Sequence, residues 1–226
     1  MECVTAAMDN AIEVRGEAEL RLRAAPIFAA ARFEMSCAAP DLRTWAVLHV
    51  SDAAAPAVPS WVPKVAGGFR SRKLYRPQVL VDPRAAEHVH QLEAYGATIR
   101  ITTADLHETM IVDRRFVIMA GDPDERPRRY RVVSAPEVVR SVSALFDAAW
   151  RAATDRAVYE TSLGGLRDLA PSLLDALASG SKDEAAARAL GMSLRTYRRR
   201  VAELMAAVGA TSRFQAGLRA RELGLV

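Results

Sequence analysis

The sequence predicts an α/β domain with a mixed sheet over residues 1–160, followed by an all-helical domain over residues 161–226. Three observations carry this reading. Between Lys73 and Val133, short apolar or alternating runs of strand length are separated by a helical segment and tight turns, the rhythm of an α/β layer. In the last part of the chain apolar residues recur only at helical spacing. The charge is also uneven: residues 163–226 hold 10 basic and 6 acidic side chains, whereas the 21 basic and 21 acidic side chains upstream cancel, so the net charge of +4 lies wholly at the end.

From Met8 to Met35 the chain is alanine-rich, and Ala11, Val14, Ala18, Leu22, Ala25, Phe28 and Met35 recur at helical spacing, which predicts one long helix stopped by Pro40. Trp45 to Val50 (WAVLHV) is an apolar run of strand length, and Pro56, Pro59 and Pro63 mark a loop or broken helix entry. Lys73 to Val81 supplies a second strand. Asp82 and Pro83 then start a helix that runs through His88, Leu92 and Tyr95 until Gly96 ends it. Ala97 to Thr102 alternates as a strand; Thr109 to Val112 and Phe116 to Ala120 flank Asp113, Arg114 and Arg115 as a tight hairpin. Tyr130 to Val133 is a further strand, and Ser134 is placed to cap a helix from Pro136 to Ala153.

Beyond this, Leu173, Leu174 and Leu177 make one apolar face ending at Gly180, and Lys182 to Leu190 makes a second helix closed by Gly191. Ser193 caps a third helix in which Tyr197, Val201, Leu204, Met205 and Val208 form one buried stripe ending at Gly209. With that stripe inward, Arg198 and Arg199 project about 100° and 200° round the helix from Tyr197, and Ala202 follows Arg198 on the same side. A short helix, a glycine turn and a capped helix with a basic outer face has the geometry of a helix-turn-helix, whose second helix is sized for the major groove of DNA. Arg198, Arg199 and Ala202 are therefore the predicted base-contacting positions. Lysine occurs only at 64, 73 and 182, so the arginine preference is a bias of the whole chain, and the clustering of Arg195, Arg198, Arg199 and Arg200 is what points to a polyanion.

From Leu166 onward the run EAAARALGMSLRTYRRRVAELMAAVGATSR and the closing QAGLRARELGL resemble the DNA-binding domain of the LuxR family of bacterial transcription factors. Pro171 within the first helix and Tyr197 in place of the common valine depart from that pattern. The resemblance implies double-stranded DNA as partner, with Lys182, Ser193, Arg195, Thr196 and Arg200 on phosphates. It also implies that a fourth helix, Ser212 to Leu223, pairs with its mate in a homodimer through Phe214, Leu218 and Leu223, with Ala216 and Ala220 on exposed or partly exposed positions. Upstream, GATIRITTADLHETMIVDRRFVIMAG and SAPEVVRSVSALFDAAWRAA resemble the phospholipase D-like sensor domain of TrmB-like actinobacterial regulators. Catalytic members of that superfamily carry H-x-K, whereas here Glu108 and Thr109 follow His107, which implies a binding role without catalysis and without a cofactor. His107 and Arg72 are the candidates for a pocket that takes a small-molecule effector, with a protein effector as the other option; the alternative reading is a degenerate phosphodiesterase targeted to DNA.

Composition excludes other classes. No window approaches the roughly 18 apolar residues of a membrane span, and Glu2, Asp9, Glu13, Glu17 and Glu19 stand where a signal peptide would be basic and apolar, so a cytoplasmic protein is expected. Cys3 and Cys37 read as plain thiols, and His88 and His90, two apart on a helix, point to different faces and make no metal site. Asp113 is expected to pair with a nearby arginine. Arg70, Arg72, Lys73 and Arg76 form a less balanced basic group, open to an anionic effector.

Overall fold

The computed structural model describes residues 10–40, 45, 62–65, 67–81, 83–105 and 107–222. Its centre is an eight-stranded mixed sheet in the order β1-β7-β6-β5-β2-β3-β4-β8. The strands are β1 (Ala11–Arg15), β2 (Glu34–Ala39), β3 (Arg70–Tyr75), β4 (Ala97–Ile101), β5 (Thr109–Val112), β6 (Phe116–Ala120), β7 (Arg129–Val133) and β8 (Thr154–Asp155). β2, β3 and β4 run parallel; every other neighbouring pair is antiparallel. The predicted α/β domain with a mixed sheet is present.

The helices are α1 (Glu17–Ala30), α2 (Val62–Val65), α3 (Gln78–Val81), α4 (Pro83–Ala94), α5 (Pro136–Ala152), α6 (Arg156–Ala178), α7 (Asp183–Ala189), α8 (Leu194–Ala207) and α9 (Arg213–Glu222). Helix α5 covers one face of the sheet: Ser143, Phe146, Asp147 and Trp150, spaced three and four apart, face the strands, and Phe146 packs with Ala38, Leu74, Ile111 and Val117. The larger core lies on the other face and runs without a break from Leu20, Leu80 and Ile99 to Leu173, Tyr197 and Leu204. The described α/β part and the C-terminal helices therefore share one core. The division expected at 160/161 falls inside α6, a continuous helix of 23 residues. Arg156 fastens the start of α6 to α4 through Glu93 at 2.8 Å.

Four sequence expectations are corrected. The single helix from Met8 to Met35 is instead β1, α1 and β2: Gly16 sits at φ 79°, which breaks the helical run, and Ala11–Arg15 is captured by antiparallel pairing with β7. The second strand is Arg70–Tyr75, held between parallel β2 and β4, and the run after it forms α3. Ala135 rather than Ser134 occupies the cap position of α5, with no side-chain cap bond. Residues 154–165, given no element in the sequence reading, form β8 and the first half of α6; Asp155 caps that helix by accepting from the Ala157 N–H at 3.0 Å. Trp45 is buried and donates its indole N–H to the Ala38 carbonyl at 3.4 Å, while the rest of the WAVLHV strand lies outside the described residues, as does Asp82.

The β5–β6 hairpin forms as predicted, with a different role for its turn. Asp113 and Arg114 both adopt left-handed backbone (φ 50° and 51°) without a glycine. Among the described residues Asp113 forms no ion pair with an arginine; its carboxylate accepts the N–H groups of Arg32, Phe33 and Glu34 at 2.8, 2.8 and 2.9 Å. Burial pushes that carboxyl up, the three N–H donors together outweigh it, and its pKa falls below the usual value. Beside it, Arg114 reaches Glu34 and Asp147, both at 2.8 Å.

Candidate functional site

The C-terminal helices build one basic surface from local rules. Helix α7 ends in a Schellman turn: the Met192 N–H donates to Ala187 and the Gly191 N–H to Arg188, with Gly191 at φ 66°. Ser193 then starts α8, its hydroxyl accepting the Thr196 N–H at 3.1 Å and bonding the Thr196 hydroxyl at 2.9 Å. Helix α8 closes in a second Schellman turn at Gly209, where a β-carbon would lie 2.5 Å from the Gln78 side-chain oxygen, so the turn also seats the helix against α3. Tyr197, Val201, Leu204 and Val208 are buried as the stripe predicts, and Met205 is half-buried.

The opposite face of α8 presents Arg195, Arg198, Arg199 and Ala202 to solvent, and Thr196 and Arg200 lie half-buried at its flank. Lys182 and Ser193 are exposed at the ends of the adjoining helices. The predicted base- and phosphate-contacting residues are thus exposed or half-buried on α8 and at the ends of the adjoining helices. Sequence reasoning missed the acidic partners on it. Asp183 accepts from Arg198 Nε at 3.0 Å and from Arg213 at 2.8 Å, tying α7, α8 and α9 together. The Arg213 guanidinium, then that of Arg198, holds the Asp183 carboxyl below its usual range. Glu203 takes Arg200 at 2.9 Å and Arg199 at 3.5 Å. Among the described residues Arg195 and Lys182 form no ion pair. The signal for Asp183 was legible as an acidic helix start; its long-range partner Arg213 was not.

On α9, Phe214 and Leu218 are 83% and 54% exposed, one turn apart. Ala216 and Ala220, expected on exposed or partly exposed positions, are fully buried because that side of α9 completes the helical core, and Leu223 lies outside the described residues.

The two pocket candidates separate. His107 is exposed at the approach to β5, where it borders two clefts. Arg72 lines neither: it bonds Asp147 at 2.9 Å and lies over the rings of Phe146 and Trp150, at 5.1 and 5.6 Å from their centroids. Arg70 joins it on Glu34, at 2.9 Å, and Arg76 pairs with Asp105 at 2.9 Å. Lys73 is buried on the opposite face beside Cys37, and burial lowers its pKa. The basic group at 70–76 is thereby taken up by the fold. Glu108 is buried and accepts from Arg128 at 3.1 Å, and Thr109 is buried within β5. Among the described residues no group of three His, Cys, Asp or Glu side chains converges as for a metal, and no helix is long and apolar enough to cross a membrane.

No protein-family model matches the chain. It is 34% identical over 145 residues to the bialaphos biosynthetic pathway regulatory protein of Streptomyces hygroscopicus, a match covering 64% of this chain and 57% of that one. The chain thus spans little more than half the length of that relative. Among solved structures it overlays on the archaeal chromatin protein TrmBL2 with a TM-score of 0.48 at 15% identity, covering 68% of this chain and 56% of the other. It overlays on Nuc, a phospholipase D family member of Salmonella typhimurium, at 0.49 and 12% identity, covering 64% and 97%. NucT of Helicobacter pylori gives 0.49 and 8%, covering 64% and 98%.

Proposed function

We propose that the protein is a sequence-specific DNA-binding transcriptional regulator in which α7 and α8 act as a LuxR-type helix-turn-helix. In this reading the α/β part is a phospholipase D-like sensor, controlled by a ligand or a protein partner, and it carries out no catalysis. The observation that carries the proposal is the surface of α8: one face buried, the other presenting Arg195, Arg198, Arg199 and Ala202 beyond a left-handed glycine turn. The S. hygroscopicus relative, described as a pathway regulatory protein, supports the same reading.

The intramolecular ion pairs do not oppose it. Arg198 and Arg199 are 58% and 61% exposed, and exposed pairs contribute about 0–1 kcal/mol, whereas an arginine forked onto guanine discriminates by about 1–3 kcal/mol. Exchange of carboxylate for DNA is therefore favourable. The resting pair also holds Arg198 by its Nε, which restricts its freedom before DNA arrives. Phe214 and Leu218 serve as the homodimer contact on α9, since one helix-turn-helix covers few base pairs and paired half-sites supply affinity.

Mapping of genomic binding sites with the full chain, followed by footprinting, tests the proposal. The expected result is two protected half-sites about one helical turn apart, with affinity that falls steeply with salt. Uniform, sequence-independent protection would overturn it.

A further inference from the structure

Cross-strand register places Arg131, Met119, Thr109, Ala38 and Leu74 side by side in one row across the sheet face that carries α5. Helix α5 spans only part of this row. Where it does, Ala38, Leu74, Thr109 and Met119 form the floor and Val142, Phe146 and Ala149 the wall of a cleft of about 290 Å³ that Asp105 also lines. The cleft opens near the carboxyl ends of the parallel strands β2 and β3, beside the point where β2 meets antiparallel β5, the place where open sheets of this kind leave a crevice. Where α5 does not cover the row, a second cleft of about 380 Å³ continues over Met119 and Arg131 to Glu13 and Asp122, and His107 borders both.

The wall is held before any ligand arrives. Phe146 stacks on Trp150 at 5.9 Å, Arg72 lies over both rings, and Asp147 and Glu34 fix Arg72 and Arg114 behind them. A rigid aromatic wall over a mostly apolar floor lets apolar surface enter with little ordering of the protein. A dry apolar cavity of about 150 Å³ accepts benzene, so this cleft has room for a ring bearing a short chain. The polar continuation past His107 suits a hydrophilic end.

We propose that this groove binds a small amphiphile, an aryl or short alkyl body of about ten non-hydrogen atoms seated between α5 and the sheet, with its polar head beyond His107 toward Arg131. The site does not depend on DNA; only naming its occupant the effector rests on the function proposed above. Arg72 acts as a positioning residue behind the wall and not as a contact.

Calorimetric titration of the full chain, without DNA, with 3-phenyl-1-propanol, 3-phenylpropionate and 3-phenylpropylamine tests the proposal. The expected result is saturable one-to-one binding of at least one probe with Kd below about 1 mM, with the preferred head group identifying the charge accepted beyond His107. Ala149→Leu, which fills the cleft from a half-buried position, should weaken that binding at least tenfold while the melting temperature stays within a few degrees. If that variant does not fold, Val142→Phe fills the same cleft from two helical turns away. Absence of saturable binding by all three probes, or unchanged binding in a folded cleft-filled variant, overturns the proposal. Loss of DNA binding with probe binding intact would instead refute the regulator reading alone.

Discussion

The sheet and α8 both gather arginines against carboxylates, and the burial of the bridging arginine separates the two clusters. Glu34 is 5% exposed and receives Arg114 and Arg70, the latter 71% exposed, while Arg72, 19% exposed, bridges to Asp147 between sheet and helix. Around α8 Asp183 is 15% and Glu203 37% exposed, yet Arg198 and Arg199 remain more than half exposed. The same pairing chemistry is structural in one region and exchangeable in the other. An arginine's availability to a ligand thus follows from how far it is itself buried, not from whether it has a counter-ion.

The largest effect should come from breaking the buried cluster. Glu34→Ala leaves Arg72 and Arg114 facing each other with only Asp147 between them, and should destabilise the fold by about 3 kcal/mol in denaturant unfolding. A loss under about 0.5 kcal/mol, the scale of a neutral surface substitution, would mean that this cluster is as exchangeable as the one on α8.

Asp113→Asn comes next, at about 2 kcal/mol, because it removes the charge from three N–H bonds while asparagine tolerates the left-handed backbone. The folded pKa of Asp113 lies below the ordinary aspartate value of 3.8, so its contribution is fully present above that value and is lost as pH falls through the lower folded pKa. Unfolding measured from pH 6 downward should show the wild-type advantage over the asparagine variant shrinking only below about pH 4. An advantage independent of pH would contradict the charge assignment.

The smallest effect on stability belongs to the exposed surface. Asp183→Asn should cost no more than about 1 kcal/mol, since both of its arginines reach water. Its freed Arg198 should bind random DNA more tightly and operator DNA with less selectivity. An unchanged ratio between the two would show that Asp183 does not position Arg198.

The C-terminal helices were legible because local rules decide them: a serine cap, two glycine turns and one apolar stripe match what α7 and α8 do. The hairpin at Asp113 was legible for the same reason. The central strands were not. EMSCAA has no β-branched residue, and RSRKLY is half charged, yet both are strands because neighbouring strands and a helix on one face bury them. The site followed the same division. Its arginines were visible as a helical face, whereas Arg213 meets Asp183 from 30 residues away, and the cleft against α5 needs cross-strand register that no local pattern reveals.

The central claim is that Arg198 and Arg199 read bases while Lys182 and Arg200 clamp phosphates. Titration of Arg198→Ala, Arg199→Ala, Lys182→Ala and Arg200→Ala against operator and scrambled duplexes at two salt concentrations tests it most directly. The first two should narrow the gap between specific and random DNA by about 1–3 kcal/mol, and the last two should weaken both duplexes alike and reduce the salt slope by about one unit. An unchanged specificity ratio for both Arg198→Ala and Arg199→Ala would contradict the account and leave the surface as undirected charge.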